Sequence, residues 1–97
     1  MKLRFAPRAS NDLINIADFI AAESPQGARR VRDSILESLQ LLADFPRLGR
    51  RQSVEGVRKH LTRKYGYVVY YLVDDAADEL VVVTIQHPAR AHPLRDK

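Results

Sequence analysis

A chain of 97 residues with a 45% apolar share suffices for one domain with a core and is too apolar for a disordered chain. The absence of cysteine excludes a disulfide framework, a thiolate metal site and a cysteine nucleophile. A net charge of +4 points to an anionic partner, phosphate or acidic protein, or to a plain solvated surface.

The charge is unevenly placed. From Met1 to Phe45 six basic residues balance six acidic ones. From Pro46 to Val73 seven basic residues stand against the single acid Glu55. From Asp74 to Lys97 three basic residues meet five acidic ones. No apolar run follows the charges of "MKLRFAPRAS", so no secretory signal is expected. No stretch approaches the roughly 20 apolar residues of a membrane helix. The expectation is one soluble, cytoplasmic domain over residues 1–97.

In chain order, "KLRF" alternates and predicts a strand over Lys2 to Phe5. Pro7 fits the first turn of a helix, where a missing N–H costs nothing. Ala9, Leu13, Ile16, Ala17 and Ile20 then trace one apolar helical face, over about Pro7 to Ala22. Ser24 and Pro25 restart a helix as N-cap hydroxyl and first-turn proline. Ala28, Val31, Ile35, Leu39 and Leu42 form its apolar face, to about Ala43. So short a connection makes the two helices an antiparallel hairpin. "FPRLGRRQSVEG" reads as loop. Three strands follow, Val57 to Arg63, Tyr67 to Val73 and Leu80 to Gln86, joined by a tight "YG" turn and the polar loop "DDAADE". The expected fold class is α+β. An N-terminal strand and a helical hairpin pack on an antiparallel meander in the order β-α-α-β-β-β, with the first strand free to join an edge.

Little of the chain suggests catalysis. Gly49, Gly56 and Gly66 lie in turns and form no phosphate loop. His60, His87 and His92 are scattered, so neither a metal nor a cofactor is expected. The serines fall at helix starts, on helices or in a loop, where capping or exposure explains them. Two clusters remain. Strand alternation places Arg58, His60, Thr62 and Lys64 on one face, polar throughout and expected to be open to solvent or a partner, and Val57, Lys59, Leu61 and Arg63 on the other. His87 is in phase with Val81, Val83 and Ile85, and "HPAR" ends the last strand. Arg58, His87 and Arg90 can then converge at one sheet edge as a notch for phosphate or carboxylate. The alternative is a core-bonded His87 and an Arg58 paired with a carboxylate. Tyr65, Tyr67, Tyr70 and Tyr71 interleave with the cations and suit base stacking. Tyr70 and Tyr71 equally suit the two faces of a buried strand.

Taken in order, the hairpin, "FPRLGR", "VRKH", "YVVYYLV" and the closing "HPAR" resemble the ParE/RelE superfamily of bacterial type II toxins, over Leu3 to Arg90. The P-x-x-G-R at Pro46 to Arg50 and the H-x-x-R at His87 to Arg90 resemble its ParE-like branch, the plasmid stabilisation toxins. The resemblance implies a toxin silenced by the acidic amphipathic C-terminal segment of a cognate antitoxin. It makes Arg50, Arg51, Arg58, Lys59, His60, Arg63 and Lys64 candidates for binding a target or phosphate. Phe19 and Leu36 become candidates for antitoxin contact, in a hetero-oligomer such as two toxins with two antitoxins. ParE-like members inhibit DNA gyrase and have no known reaction of their own. RelE-like members are ribosome-dependent mRNA endoribonucleases, for which Arg58, His87 and Arg90 would be the catalytic candidates. RelE-like enzymes often have a C-terminal tyrosine, and "RAHPLRDK" holds none.

Overall fold

The computed structural model describes residues 1–90, with Arg90 as backbone only. The first strand, β1 (Lys2–Phe5), leads into α1 (Pro7–Ala21) and α2 (Pro25–Asp44). A two-residue strand, β2 (Arg50–Arg51), precedes β3 (Val57–Leu61), β4 (Val68–Asp74) and β5 (Glu79–Gln86). A single 3₁₀ turn, Pro88–Arg90, follows. Among the described residues no helix is long and apolar enough to cross a membrane.

Local chemistry accounts for these boundaries. Pro7 opens α1 without a side-chain cap. At the start of α2 the Ser24 hydroxyl accepts the Gly27 N–H at 3.0 Å, which satisfies one otherwise orphaned helix donor. The third strand stops at Leu61, two residues short of the expected Arg63. Thr62 turns instead: its hydroxyl donates to the Lys64 carbonyl at 2.7 Å and accepts the Tyr67 N–H at 3.0 Å.

Among the described residues the sheet has five strands, in the order β1-β5-β4-β3-β2. The four later strands are antiparallel neighbours, as the meander requires. β1 lies at the edge and pairs with β5 in parallel, Lys2 beside Glu79 and Phe5 beside Val82. The sheet is therefore mixed. Both helical faces close over one side of it. Val31, Ile35, Leu39 and Leu42 of α2 share a core with Val69, Tyr71, Leu80 and Val82, and Leu13, Ile16 and Ile20 of α1 pack against it. The other side carries a smaller cluster of Val57, Val68 and Tyr70, flanked by Val54, Leu72 and Val83. Tyr70 and Tyr71 are both buried, one on each side, as alternation along a doubly covered strand demands.

A bulge interrupts β5. Tyr70 faces Thr84 and Tyr71 faces Val82, leaving Val83 without an opposite residue. The bulge breaks the expected phase of Val81, Val83, Ile85 and His87: Val83 packs on the outer cluster and Ile85 in the helix-side core. Asp12 of α1 meets the strand here. Its Oδ2 accepts the buried Thr84 hydroxyl at 2.6 Å and the Ile85 N–H at 3.0 Å.

The segment leaving α2 is fastened to the helix side of the sheet. The Tyr71 hydroxyl donates to the Pro46 carbonyl at 2.8 Å and accepts the Gly49 N–H at 2.8 Å. A Cβ at position 49 would lie 2.5 Å from that hydroxyl and 2.9 Å from the Lys59 carbonyl oxygen, so only glycine fits. Tyr71→Phe leaves the buried Gly49 N–H unsatisfied and should cost about 1–3 kcal/mol of stability, read as a lower urea midpoint. Gly49→Ala should be at least as damaging, since both obstructing atoms are fixed.

Candidate functional site

The same anchor fixes Arg58. Its Nη1 donates to the Gly49 carbonyl at 2.8 Å and to the Arg47 carbonyl at 3.3 Å. Among the described residues carbonyl groups, and no carboxylate, hold this guanidinium, so no ion pair offsets its charge. The expectation of an open polar face on β3 is thus overturned. Thr62 is buried, and Arg58 and His60 are half-buried on the side that segment 46–49 covers. Among the described residues, the His60 Nε2 is buried without a hydrogen-bond partner, and burial lowers its pKa below the ordinary imidazole range. Burial likewise raises the Tyr71 hydroxyl, opposed by the Gly49 N–H and the nearby Arg58.

Register places cations opposite one another. Arg50 pairs with Lys59, and Arg51 with Arg58. Directly opposed like charges destabilise a strand pair, and an anion between them relieves it. Two recesses result. One, of about 500 Å³, is lined by Arg47, Arg51, Glu55, Arg58 and Asp75. Arg47 is linked to Asp75 across its mouth at 3.4 Å. The other, of about 580 Å³, is lined by Leu48, Arg50, Lys59, His60 and Leu61.

His87 belongs elsewhere. It lines a third recess of about 640 Å³ against α1, with Arg8, Asn15, Phe19 and Tyr67. Its Nδ1 accepts the Ala89 N–H at 3.0 Å, and its ring stands edge-on to Tyr67 with centroids 5.6 Å apart. The imidazole is exposed and its orientation is fixed. Arg58 and His87 therefore do not share a notch, and the Arg90 side chain and His92 lie outside the described residues. Register explains the separation: Arg58 is level with Tyr71 and Val82, whereas His87 follows Gln86, which is level with Val68 and Leu61. Arg63 and Lys64 are exposed at the β3–β4 turn, apart from all three recesses. Phe19 is 73% exposed and Leu36 37%, on the outer surface of the hairpin. Among the described residues no three His, Asp or Glu side chains are grouped to hold a metal ion.

Asp12, the Thr84 hydroxyl and the Tyr71 hydroxyl are the functional groups that sequence reasoning missed. A lone carboxylate beside an apolar helical stripe gives no signal of a bulge four strands later in the chain.

A sequence model described as the ParE toxin of the type II toxin–antitoxin system parDE matches residues 3–92. The chain belongs to the ParE toxin family. It is also 31% identical over 86 residues to Toxin RelE3 of Caulobacter vibrioides, covering 88% of this chain and 91% of that protein. Two solved structures share the fold. The chromosomal ParDE system of P. aeruginosa aligns with a TM-score of 0.75 at 23% identity, over 90% of this chain and 95% of that one. The intact E. coli RelBE toxin–antitoxin complex aligns at 0.69 and 21%, over 92% and 98%. The expected toxin superfamily and α+β fold are thus borne out for this ParE-family chain.

The depressed His60 pKa makes a pH prediction. Below about pH 6.5 the unfolded chain takes up a proton that the folded imidazole resists, so stability falls as pH falls. Urea midpoints should drop between about pH 7 and pH 5, and His60→Leu should flatten that slope.

Proposed function

We propose that this type II toxin acts on DNA gyrase, and so on replication, by binding rather than by a reaction of its own. The supporting observation is the separation of Arg58 from His87. Endonucleolytic transfer at a phosphate needs a base, an acid and cations gathered around one phosphorus. Here the Arg58 guanidinium serves carbonyls of the α2–β2 segment, and the imidazole leans on Tyr67 beside α1.

The second reading is a ribosome-dependent mRNA endoribonuclease. The relative that bears the RelE name favours it, with Arg58, His87 and Arg90 as its catalytic candidates. Both readings place one toxin domain over residues 1–97 in the cytoplasm, without a cofactor. Pulse labelling after induction of the toxin alone separates them. Thymidine incorporation should stop first while methionine incorporation continues. Early collapse of methionine incorporation would overturn the gyrase reading.

A cognate antitoxin completes the proposal, supported by the fold shared with a toxin held in its antitoxin complex. The opposed cations Arg50 and Lys59, and Arg51 and Arg58, suit its acidic segment, and Phe19 and Leu36 suit its apolar positions. Toxin–antitoxin affinity should fall as ionic strength rises, because exposed charges are screened beyond about 8 Å at physiological salt. Calorimetric titration at two salt concentrations checks this, and equal affinities would remove the electrostatic part.

A further inference from the structure

The β3–β4 turn holds a side chain that neither the core nor the proposed function uses. Tyr65 adopts φ 68° and Gly66 φ 64°. Two successive left-handed residues make a tight reversal, which glycine, asparagine and aspartate enter easily and a bulky aromatic residue does not. Tyr65 is 51% exposed and belongs to neither core cluster, so core packing does not offset the strain. Backbone strain at an exposed residue is a pointer to function.

The turn beneath is braced. Thr62 N–H donates to the Tyr67 carbonyl at 2.9 Å, and the Thr62 hydroxyl ties the Tyr67 N–H to the Lys64 carbonyl. Arg63 and Lys64 precede the ring, both exposed, and among the described residues neither meets a carboxylate. No acid occurs from Gly56 to Val73. The braced tip thus presents a half-exposed aromatic ring and two cations in three consecutive residues.

We infer that the Arg63–Lys64–Tyr65 tip is a contact for single-stranded nucleic acid, with Tyr65 stacking on a base and the two cations meeting the flanking phosphates. Cations alone would serve an acidic peptide as well. The half-exposed ring decides between them, because every unpaired base offers a π-face to stack on, whereas an acidic peptide needs only the charges. A duplex keeps its bases stacked inside and leaves the ring nothing to cover. The inference does not rest on the gyrase reading.

The test is fluorescence anisotropy of the full chain with a labelled oligothymidylate. Binding should weaken as salt rises, and Arg63→Gln with Lys64→Gln should make that dependence shallower. Tyr65→Phe should bind within about twofold of the parent, whereas Tyr65→Asn should lose about tenfold or more. The asparagine variant should melt no lower than the parent, because asparagine tolerates the left-handed backbone. Three results would overturn the inference: no binding at low salt, unchanged affinity in Tyr65→Asn, or competition by duplex DNA or a glutamate-rich peptide as effective as by unlabelled single strand.

Discussion

The attachment of segment 46–49 to the sheet is the constraint on which the rest of the structure depends. One phenol and one guanidinium, from β4 and β3, together hold three carbonyls and one N–H of that segment. Every group involved is one that would be costly to leave unpaired under the covering chain. The attachment turns the exit of α2 back across the helix side of β3, which is how Arg50 and Arg51 come to extend the sheet. It also explains the glycine of the P-x-x-G-R stretch: the backbone must approach the Tyr71 ring more closely than a side chain allows.

This geometry divides the positive charge of the central segment. Residues opposite one another share a face, so Arg51 and Arg58 lie with Tyr71 on the helix side, and Arg50 and Lys59 lie with Tyr70 on the outer side. Arg63 and Lys64 stand beyond both, at the turn. What looks in sequence like a single basic run is three separate placements. Only the first is tied to the interior, through carbonyls.

Much of the fold is legible in the sequence because apolar spacing is a direct record of burial. Ala28, Val31, Ile35, Leu39 and Leu42 are all buried as their period requires, and Pro7 and Pro25 open α1 and α2 as expected. The missed parts share a cause: each depends on a partner distant in the chain. Two arginines in a polar loop have no strand signature, and β2 exists because β3 offers a free edge. The bulge at Val83 is invisible in a run of β-branched residues, yet it reverses the phase of everything after it and sends His87 toward α1. Arg58 could be placed on its strand and face from alternation, but its carbonyl partners belong to a loop whose path only the folded chain reveals. Phe19 and Leu36 were recognisable as exposed because they fall off the apolar stripes of their helices.

The parallel pairing of β1 with β5 has a consequence for synthesis. Lys2 finds its sheet partner at Glu79, so the first strand waits until β5 has been made. The helical hairpin is local and can form early, but the sheet closes only when its last-made strand slots between β4 and β1. Pairings this distant in sequence are slow to form. Translation adds about 5–20 residues per second, so the nascent chain spends seconds with its first strand unpaired. Until β5 has been made, β1 has no partner strand and the five-stranded order cannot be completed.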